Sequence, residues 1–427
     1  MHDVIVIGGG FAGVTAAREV ALAGRSALLL EAKDRLGGRT WTADWNGQEI
    51  EYGGGWVHWH QPHAWAEMTR GGIGVNLSDP EAATSWWVDG ERRSGTAEQR
   101  DAIAERGWNR FVAGCEEALP NPYAPLDGGE AMARFDRQTI RERIDELELD
   151  AEERAVLLAE CESLAHGFAH EAGAFAVVRW HVLSGSSLAL TQYTGGRVTI
   201  QGGTQALLGA IARGASFETR LETPVAAVAQ TADGVEVTTT AGETIPARAV
   251  VVAVPLNTLG AISFEPGLAD VKREAIAAGQ ASRGIKIFVR ARGDRTTQNA
   301  IRPGHEFGYL ATEWRYDDGT QTMIGFGLDG AAIDAADHGA VQAAMDTILP
   351  GYEVLDATAH DWLGDPYARG TWAIHRPGWY TRFHGEMRRP EGRVVLAGSD
   401  LANGWAGFMD GAIESGLTSA REALRTL

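Results

Sequence analysis

Hydrophobic and polar positions near the start of the chain follow a strand, a turn and then a helix. Residues 4–7 are continuously apolar, which is typical of a parallel strand covered on both faces. A glycine-rich turn comes next, followed by helical spacing over about 12–23. A second apolar run, 27–30, ends at Glu31. This order predicts a strand–turn–helix–strand unit with a carboxylate at the end of its second strand.

The rest of the chain changes from helical to strand spacing and back. Helices are predicted at 64–70, 97–118, 139–146, 151–167, 174–184, 201–212, 336–349 and in the last segment of the chain, 393–424. Strands are predicted at 225–229, 235–240, 249–254, 284–289, 308–314, 321–326, 356–362 and 394–397. The stretch from about 62 to 192 is therefore expected to be mainly helical.

This succession predicts an α/β protein whose chain passes back and forth between two domains. A Rossmann-type dinucleotide-binding domain is predicted from residues 1–75, 195–280 and 385–427. Residues 76–194 and 281–384 are predicted to form an α+β substrate-binding domain with a mixed sheet flanked by helices.

Charge and composition narrow the classes of partner. The chain has 427 residues and a net charge of −19. Nucleic acids and anionic membranes bind clustered basic residues, so neither is expected as a partner. No secretion signal and no apolar run of ~18 residues is visible, so we expect a soluble, cytoplasmic protein. The two cysteines, Cys115 and Cys161, lack metal-type spacing and are expected to be reduced thiols.

The turn at 8–13 reads Gly-Gly-Gly-Phe-Ala-Gly and fits the pattern G-x-G-x-x-G. In such a unit the first glycine permits a tight turn, the second lets the backbone approach a pyrophosphate, and the third allows close helix–strand packing. Glu31 is predicted to accept hydrogen bonds from the adenosine ribose. The expected pyrophosphate donors are the backbone N–H groups of Gly8, Gly10, Phe11, Ala12 and Gly13.

Four blocks give the chain a resemblance to a known family. The first is the N-terminal unit running into Arg-Leu-Gly-Gly-Arg at 35–39, and the second is Gly-Gly-Gly-Trp-Val at 53–57. The third is Gly-Ile-Lys at 284–286. The fourth is Leu-Ala-Gly-Ser-Asp at 396–400 with Trp-Ala-Gly-Phe-Met-Asp-Gly-Ala at 405–412. In this order the chain resembles, over nearly its whole length, flavin-containing amine oxidases of the monoamine oxidase and polyamine oxidase group. Within that group it is similar to the bacterial branch that acts on nicotine and 6-hydroxynicotine.

The resemblance implies that the first domain binds FAD and that the protein oxidises a C–N bond. A hydride equivalent leaves the carbon next to the amine nitrogen for flavin N5, the imine hydrolyses, and O2 reoxidises the flavin to give H2O2. The expected partners are a small-molecule amine and O2, and a homodimer is left open beside a monomer. Family members with covalent flavin carry a cysteine where this chain has Thr371, so the resemblance implies noncovalent FAD.

The resemblance also implies roles for individual residues. The expected catalytic residues are Lys286, which assists the reaction with O2 through a water near flavin N5, and two aromatic rings, Trp372 and Phe408. The rings flank the amine nitrogen in apolar surroundings that lower the pKa of the amine. Arg39 is expected near the phosphates and Asp400 near the ribityl or phosphate region. The full set of cofactor contacts expected beyond the glycine turn is Glu31, Ala32, Gly38, Arg39, Gly54, Gly55, Trp56, Val225, Gly398, Asp400, Gly407, Phe408 and Met409.

Other functions use parts of the same pattern. A nicotinamide-dependent dehydrogenase would need the first unit but not the C-terminal block. A desaturase or porphyrinogen oxidase would not need a lysine together with an aromatic cage, and a flavoprotein that only binds would need neither. An L-amino-acid oxidase should offer an arginine shortly after 53–55, where this chain has His58-Trp59-His60-Gln61. A nicotine-type amine dehydrogenase with another electron acceptor stays open.

A few aromatic and histidine residues have no assigned role. The spacing of His58, His60 and His63 suggests a metal site, but neighbouring carboxylates or cysteines are missing, so no metal is predicted. Substrate contact and core packing remain open for a set of six residues, which are His58, Trp59, His60, Trp180, His181 and Trp314.

Overall fold

The computed structural model describes residues 1–78 and 83–427 of the chain. Its strands are β1 (His2–Ile7), β2 (Ala27–Leu30), β3 (Thr42–Trp45), β4 (Gln48–Glu51), β5 (Val75–Leu77), β6 (Ala83–Val88), β7 (Glu91–Gly95), β8 (Val198–Ile200), β9 (Glu218–Arg220), β10 (Val225–Gln230), β11 (Val235–Thr239), β12 (Thr244–Val252), β13 (Ser263–Glu265), β14 (Ile285–Arg292), β15 (Gln298–Ile301), β16 (Tyr309–Arg315), β17 (Thr320–Gly327), β18 (Glu353–Ala359) and β19 (Val394–Leu396).

The α-helices are α1 (Phe11–Leu22), α2 (Pro62–Gly71), α3 (Ala97–Phe111), α4 (Cys115–Ala118), α5 (Gly129–Asp136), α6 (Ile140–Asp145), α7 (Ala151–Ala165), α8 (Ala174–Leu183), α9 (Leu188–Gly196), α10 (Gly203–Ala212), α11 (Asp270–Ala278), α12 (His338–Ile348), α13 (Gly385–Arg388) and α14 (Met409–Arg425). Short 3-10 turns lie at Leu256–Ala261 and Ser399–Leu401, and a π-helical turn lies at Tyr380–His384.

The first sheet is built around the two apolar runs near the N-terminus. β1 pairs in parallel with β2 on one side and with β12 on the other, within the order β13-β10-β11-β12-β1-β2-β9, and β19 also pairs with β12. Ile5 packs in one apolar cluster, whereas Val4 and Val6 pack in another. Both faces of β1 are therefore covered, which is why its sequence is continuously hydrophobic. α1 and α14 lie against each other on this sheet.

The second sheet has the order β18-β14-β17-β16-β15-β6-β7, with antiparallel neighbours except for the parallel pair β15 and β6. Ile287 and Val289 belong to the apolar cluster that includes α12. Phe288 and Phe326 belong to a different cluster, together with residues of β4 and the following turn. Lys286 alternates with Ile287 along β14 and pairs in register with Phe326. Its side chain therefore lies on the same face of the sheet as Phe288, opposite to that of Ile287.

The α/β prediction with mixed sheets flanked by helices is confirmed. Strands of the first sheet come from 2–30, 218–265 and 394–396, and those of the second from 83–95 and 285–359. The exact division of the chain into two interleaved domains stays a prediction.

The mainly helical prediction for about 62–192 is wrong at β6 and β7, which form a hairpin. Asp89 and Gly90 connect its strands with φ values of 50° and 80°, the conformation that an Asp-Gly turn favours between antiparallel strands. The aromatic and β-branched residues of β6 agree with a strand. The predicted helix 97–118 is interrupted, because Gly114 adopts a left-handed φ of 90° between α3 and α4. Among the described residues, no helix is both long enough and apolar enough to cross a bilayer.

Candidate active site

One cavity is lined from both sheets. Its wall includes Gly8 after β1, Val225 on β10, Lys286 on β14 and Phe326 on β17. Every catalytic and cofactor residue predicted from the sequence lines this cavity except Gly13 and Asp400. The structure thus brings together residues from all four sequence blocks.

The glycine turn leaves the start of α1 open to a ligand. α1 begins at Phe11 after Gly10, without a side-chain cap and without an acidic residue in its first turn. A side chain at Gly13 would place its Cβ 1.9 Å from the carbonyl oxygen of Gly8, which itself has φ +102°. Gly13 therefore holds helix and strand together from outside the cavity. The uncapped N–H groups and the helix dipole suit a pyrophosphate.

Glu31 braces the same turn. Its carboxylate accepts hydrogen bonds from the backbone N–H groups of Gly9 (2.5 Å) and Lys33 (2.9 Å). Burial raises the pKa of Glu31, although these two backbone hydrogen bonds act in the opposite direction. The carboxylate also lines the cavity. Its contact with a ribose stays a prediction.

Arg39 connects the N-terminal and C-terminal blocks. Its guanidinium donates to the Thr371 carbonyl and to the Ser399 hydroxyl, at 2.9 Å each, and forms an ion pair with Asp400. Asp400 also accepts a hydrogen bond from the backbone N–H of Leu256 at 2.9 Å. Burial tends to raise the pKa of Asp400, but the charge of Arg39 and these hydrogen bonds outweigh it and hold the pKa below its ordinary value. The expected direct contact of Asp400 with the cofactor stays a prediction, because its side chain is turned to Arg39.

Lys286 is almost fully buried, with 3% of its surface exposed. Its ammonium donates to the carbonyl oxygen of Gly53 at 3.0 Å and lies 4.3 Å from the centre of the Trp56 ring. Burial lowers the pKa of Lys286 to about 8, with Glu51 and Glu313 opposing that shift. A buried lysine held against the triple-glycine segment is typical of a functional position rather than a packing one.

The aromatic rings gather at one end of the cavity. We call this the aromatic end and define it by Trp56, Leu164, His166, Trp180, Lys286, Phe326, Trp372 and Phe408. The Phe408 ring meets Trp180 and Trp405 edge-on, with centroids 5.0 Å apart in each case. The Trp372 indole N–H donates to the Leu164 carbonyl at 3.0 Å. Trp372 and Phe408 both line the cavity, and their placement on either side of an amine nitrogen stays a prediction.

Sequence reasoning missed His166 and Phe326. His166 has no exposed surface, and its ring stacks on Trp372 with centroids 4.2 Å apart. No sequence spacing signals this pairing. Phe326 lies beside Lys286 in the sheet register, so the alternation of β14 and β17 could have indicated it.

Most of the residues with open roles lie elsewhere. His181 contacts the Trp108 indole N–H at 3.1 Å, and Trp314 stacks on Phe288. Neither lines the cavity, whereas Trp180 does. The His58 ring packs against Trp59 at a tilt of 31°, and Trp59 is 48% exposed. In the described part of the chain, no group of three or more metal-ligating side chains is assembled.

A flavin dinucleotide fits the donor set of this cavity. Besides the start of α1, the start of α14 also lines the cavity: this helix begins at Met409 after Phe408, without a side-chain cap. The acidic residue of its first turn, Asp410, is fully buried and accepts from the backbone N–H of Ala64 instead. Gly407 has φ +88°, and a Cβ there would lie 2.9 Å from the Ala373 carbonyl oxygen. Two open helix starts on one cavity suit a pyrophosphate and an electron-rich ring.

Comparisons with known proteins agree with this arrangement. A family model described as flavin containing amine oxidoreductase matches residues 11–424. The chain is 36% identical over 423 residues to a pseudooxynicotine dehydrogenase from Pseudomonas sp, covering 97% of this chain and 84% of that protein. It is 35% identical to a nicotine dehydrogenase from Pseudomonas putida, covering 100% and 89%. It is 31% identical to an (S)-6-hydroxynicotine oxidase from Paenarthrobacter nicotinovorans, covering 97% of both chains.

Solved structures show the same fold. A triple mutant of putrescine oxidase superposes with a TM-score of 0.85 at 22% identity, covering 100% of this chain and 99% of that one. Cyclohexylamine oxidase from Brevibacterium oxydans gives a TM-score of 0.81 at 21% identity, covering 99% of each chain. With the family model matched over residues 11–424 and its nicotine-related relatives aligned along nearly its whole length, the chain belongs to the flavin-containing amine oxidoreductases, enzymes that use FAD to oxidise CH–NH or CH–NH2 groups.

Proposed function

We propose that this enzyme oxidises a nicotine-type amine with noncovalent FAD and passes the electrons to O2, giving H2O2. The observation that carries the proposal is the composition of the aromatic end. The group so defined holds five aromatic side chains, Leu164, His166 and the charged Lys286, and the hydroxyl-bearing residues Ser163 and Thr371 line the same cavity. Such a wall favours a flat, uncharged ring beside the amine. The names of three relatives, all acting on nicotine or its derivatives, support the same substrate class.

The chain's own residues prepare the amine and hold the cofactor. Bound FAD supplies the acceptor for the hydride. Trp372 and Phe408 surround the amine with apolar surface, which disfavours its protonated form and excludes water. The neutral nitrogen can then donate electron density to the breaking C–H bond. Arg39 and the two open helix starts hold the cofactor, while Thr371, whose hydroxyl contacts His166 at 2.9 Å, offers no thiol for a covalent link.

Two other substrate classes lack a partner in the aromatic end. A diamine would need a carboxylate for its second ammonium group, and an amino acid would need an arginine for its carboxylate. In the described wall of the aromatic end we find neither. The other charged lining residues are Glu31, Lys33, Arg39 and Arg369. Glu31 accepts from the Gly9 N–H, and Arg39 is paired with Asp400.

A second candidate function, a nicotine-type amine dehydrogenase, differs from the first in its electron acceptor. Two of the relatives are named dehydrogenases, which favours transfer to a protein or another acceptor instead of O2. Lys286 supports O2, because a positive charge in a buried site stabilises the negative charge that develops on oxygen. A cytoplasmic location and the formation of H2O2 belong to the same proposal.

Anaerobic reduction followed by reoxidation tests both parts. The yellow protein is mixed without oxygen with nicotine, 6-hydroxynicotine, putrescine, a phenylalkylamine or an L-amino acid, and bleaching of the flavin is followed. We expect a nicotine-type amine to bleach it fastest. Air is then admitted, and rapid return of the colour with stoichiometric peroxide is expected. Fastest bleaching by putrescine or an amino acid would contradict the substrate class, and slow reoxidation by air would favour the dehydrogenase.

A further inference from the structure

We propose that His166 is a positioning residue that fixes the plane of the Trp372 ring and thereby the orientation in which the amine meets the cofactor. The proposal rests on the proposed function for its kinetic part, but its structural part can be tested without any substrate. His166 contributes no group to the reaction in this scheme. It acts by holding the Trp372 ring, which is proposed to contact the amine.

The backbone of His166 is held in an uncommon conformation. The residue follows α7 with φ 50° and ψ 46°, a left-handed conformation that residues other than glycine rarely adopt. Its carbonyl oxygen accepts hydrogen bonds from the N–H groups of Arg283 (3.1 Å) and Gly284 (2.9 Å), just before β14. A Cβ at Gly284 would lie 2.3 Å from Cδ2 of the His166 ring. The strand that carries Lys286 therefore fixes where the imidazole lies.

The Trp372 indole makes two contacts with the turn at the end of α7. One face of its ring stacks on the His166 imidazole, with an interplanar angle of 10°. Its N–H donates to the carbonyl of Leu164, two residues earlier. A ligand in the cavity can therefore reach only the opposite face and the free edge of the indole. The orientation of that face depends on the His166 ring.

A closed set of hydrogen bonds fixes the imidazole in its own plane. His166 Nδ1 lies 2.9 Å from the Thr371 hydroxyl, which contacts the Ser282 hydroxyl. The Ser282 hydroxyl in turn donates to the His166 carbonyl at 3.4 Å. With the proton on Nδ1, the three hydrogen bonds form a closed circuit. Nδ1–H donates to the Thr371 hydroxyl, the Thr371 hydroxyl donates to Ser282, and the Ser282 hydroxyl donates to the His166 carbonyl.

The imidazole in this position is neutral. Burial lowers the pKa of His166 to about 4. A backbone hydrogen bond with Ile285 opposes this shift, and the charge of Lys286 acts in the same direction as burial. A neutral ring behind the indole adds no repulsion for an arriving ammonium group.

Thr371 connects His166 to Arg39, which is expected to bind the cofactor. The Thr371 carbonyl accepts from Arg39, while the Thr371 hydroxyl contacts His166. Residue 371 is thus held between the cofactor-binding arginine and the histidine, and Trp372 follows it directly. A shift of the imidazole should move the ring without releasing the cofactor.

Two variants separate the stacking contact from the hydrogen bond. His166→Asn tolerates the left-handed conformation and can still bond to Thr371, but it removes the stacked ring. His166→Phe keeps a ring and removes the hydrogen bond. His181→Asn is the matched control, since His181 is also a buried histidine but contacts Trp108 and does not line the cavity.

The structural readout is near-ultraviolet circular dichroism of the flavin-loaded protein. We expect His166→Asn to change the tryptophan signal in the wild-type background but not in a Trp372→Phe background, because the stacked pair is then already absent. His181→Asn should change the signal equally in both backgrounds. Equal changes from His166→Asn in both backgrounds would overturn the proposal.

The kinetic readout is the rate of flavin reduction by the amine that reduces the wild-type enzyme fastest. We expect His166→Asn to slow it by about ten- to a hundredfold, the cost of a ring displaced by about 1 Å, and His166→Phe to slow it less. The affinity for FAD should stay within about twofold of the wild-type value, since no group that holds FAD is removed. Loss of FAD affinity in parallel with the rate would show a merely structural role and overturn the proposal. If no amine reduces the wild-type enzyme, the proposed function fails, while the dichroism experiment still decides on His166.

Discussion

Arg39 and Asp400 form an ion pair across 361 positions of sequence. The resemblance places Arg39 near the phosphates and Asp400 near the ribityl or phosphate region, and the structure joins the two side chains to each other. Asp400 lies behind Arg39 as seen from the cavity, because Arg39 lines it and Asp400 does not. The pair orients the guanidinium and ties the turn before α14 to the segment after β2.

Replacing Asp400 by alanine should weaken FAD binding. The change leaves Arg39 and the Leu256 N–H without their carboxylate, a loss of about 1–3 kcal/mol, or about five- to 150-fold in the dissociation constant. Titration of the flavin-depleted protein with FAD measures it. Glu67→Ala is the control. Glu67 forms a similarly buried ion pair with Arg18, with an N···O distance of 2.8 Å, and neither residue lines the cavity. This variant should lower the unfolding temperature while the affinity for FAD stays the same.

Lys286→Met should slow reoxidation of the reduced flavin by O2 by about a hundredfold or more, the size of effect seen when one stabilising group is removed from a developing oxyanion. FAD affinity should change little. In the wild-type enzyme the rate should fall as the pH rises through about 8, because Lys286 loses its proton there, and the variant should show no such step. Lys272→Met provides the comparison, since Lys272 is a buried lysine paired with Glu391 outside the cavity. An unchanged rate in Lys286→Met would remove this lysine from the oxygen reaction.

FAD should leave the protein on acid precipitation. With threonine at position 371 there is no thiol to bond the flavin ring, so the supernatant should be yellow. The denatured chain should have the mass of the polypeptide alone, 45.7 kDa. Yellow colour that stays in the precipitate would show covalent attachment at another residue.

His181 should make the folded protein more sensitive to acid. Burial lowers its pKa to about 4, whereas histidine in the unfolded chain titrates near the ordinary value of 6.5. Between these two pH values the unfolded state binds one more proton at this residue, so the free energy of unfolding falls by about 1.4 kcal/mol per pH unit as the pH decreases. Above 6.5 the residue adds no pH dependence.

Denaturant unfolding at several pH values checks this slope. His181→Asn should be less stable than the wild type at pH 7, because the Trp108 N–H loses its acceptor. The difference in stability should shrink as the pH falls from about 6.5 to about 4. A difference that stays constant over this range would show that His181 is protonated in the folded state as well.

Local patterns predicted the parts of the fold that depend on neighbours in sequence. The apolar runs and glycines at residues 4–30 specify β1, α1 and β2, because each element buries its own pattern. The hairpin of β6 and β7 was missed although Asp89-Gly90 is a strong turn signal, since helical spacing on both sides dominated the interpretation.

The sequence predicted those residues of the candidate site that belong to recognisable motifs. Lys286, Trp372 and Phe408 were identified by resemblance, and the structure places them on one cavity. His166 gave no signal, because its stacking partner lies more than 200 positions away and depends on the left-handed turn after α7. Tertiary pairings of this kind are not encoded by spacing.

The packing of α14 across α1 has a consequence for biosynthesis. Gly416 lies so close to the first helix that a Cβ there would be 2.4 Å from the Ala12 carbonyl oxygen. The cavity wall that includes Gly8 near the N-terminus also includes Gly407, Phe408, Met409 and Ala412. A chain growing from the ribosome thus lacks this last part of the cavity wall until the α14 segment has been made, so we expect firm capture of FAD only after that point.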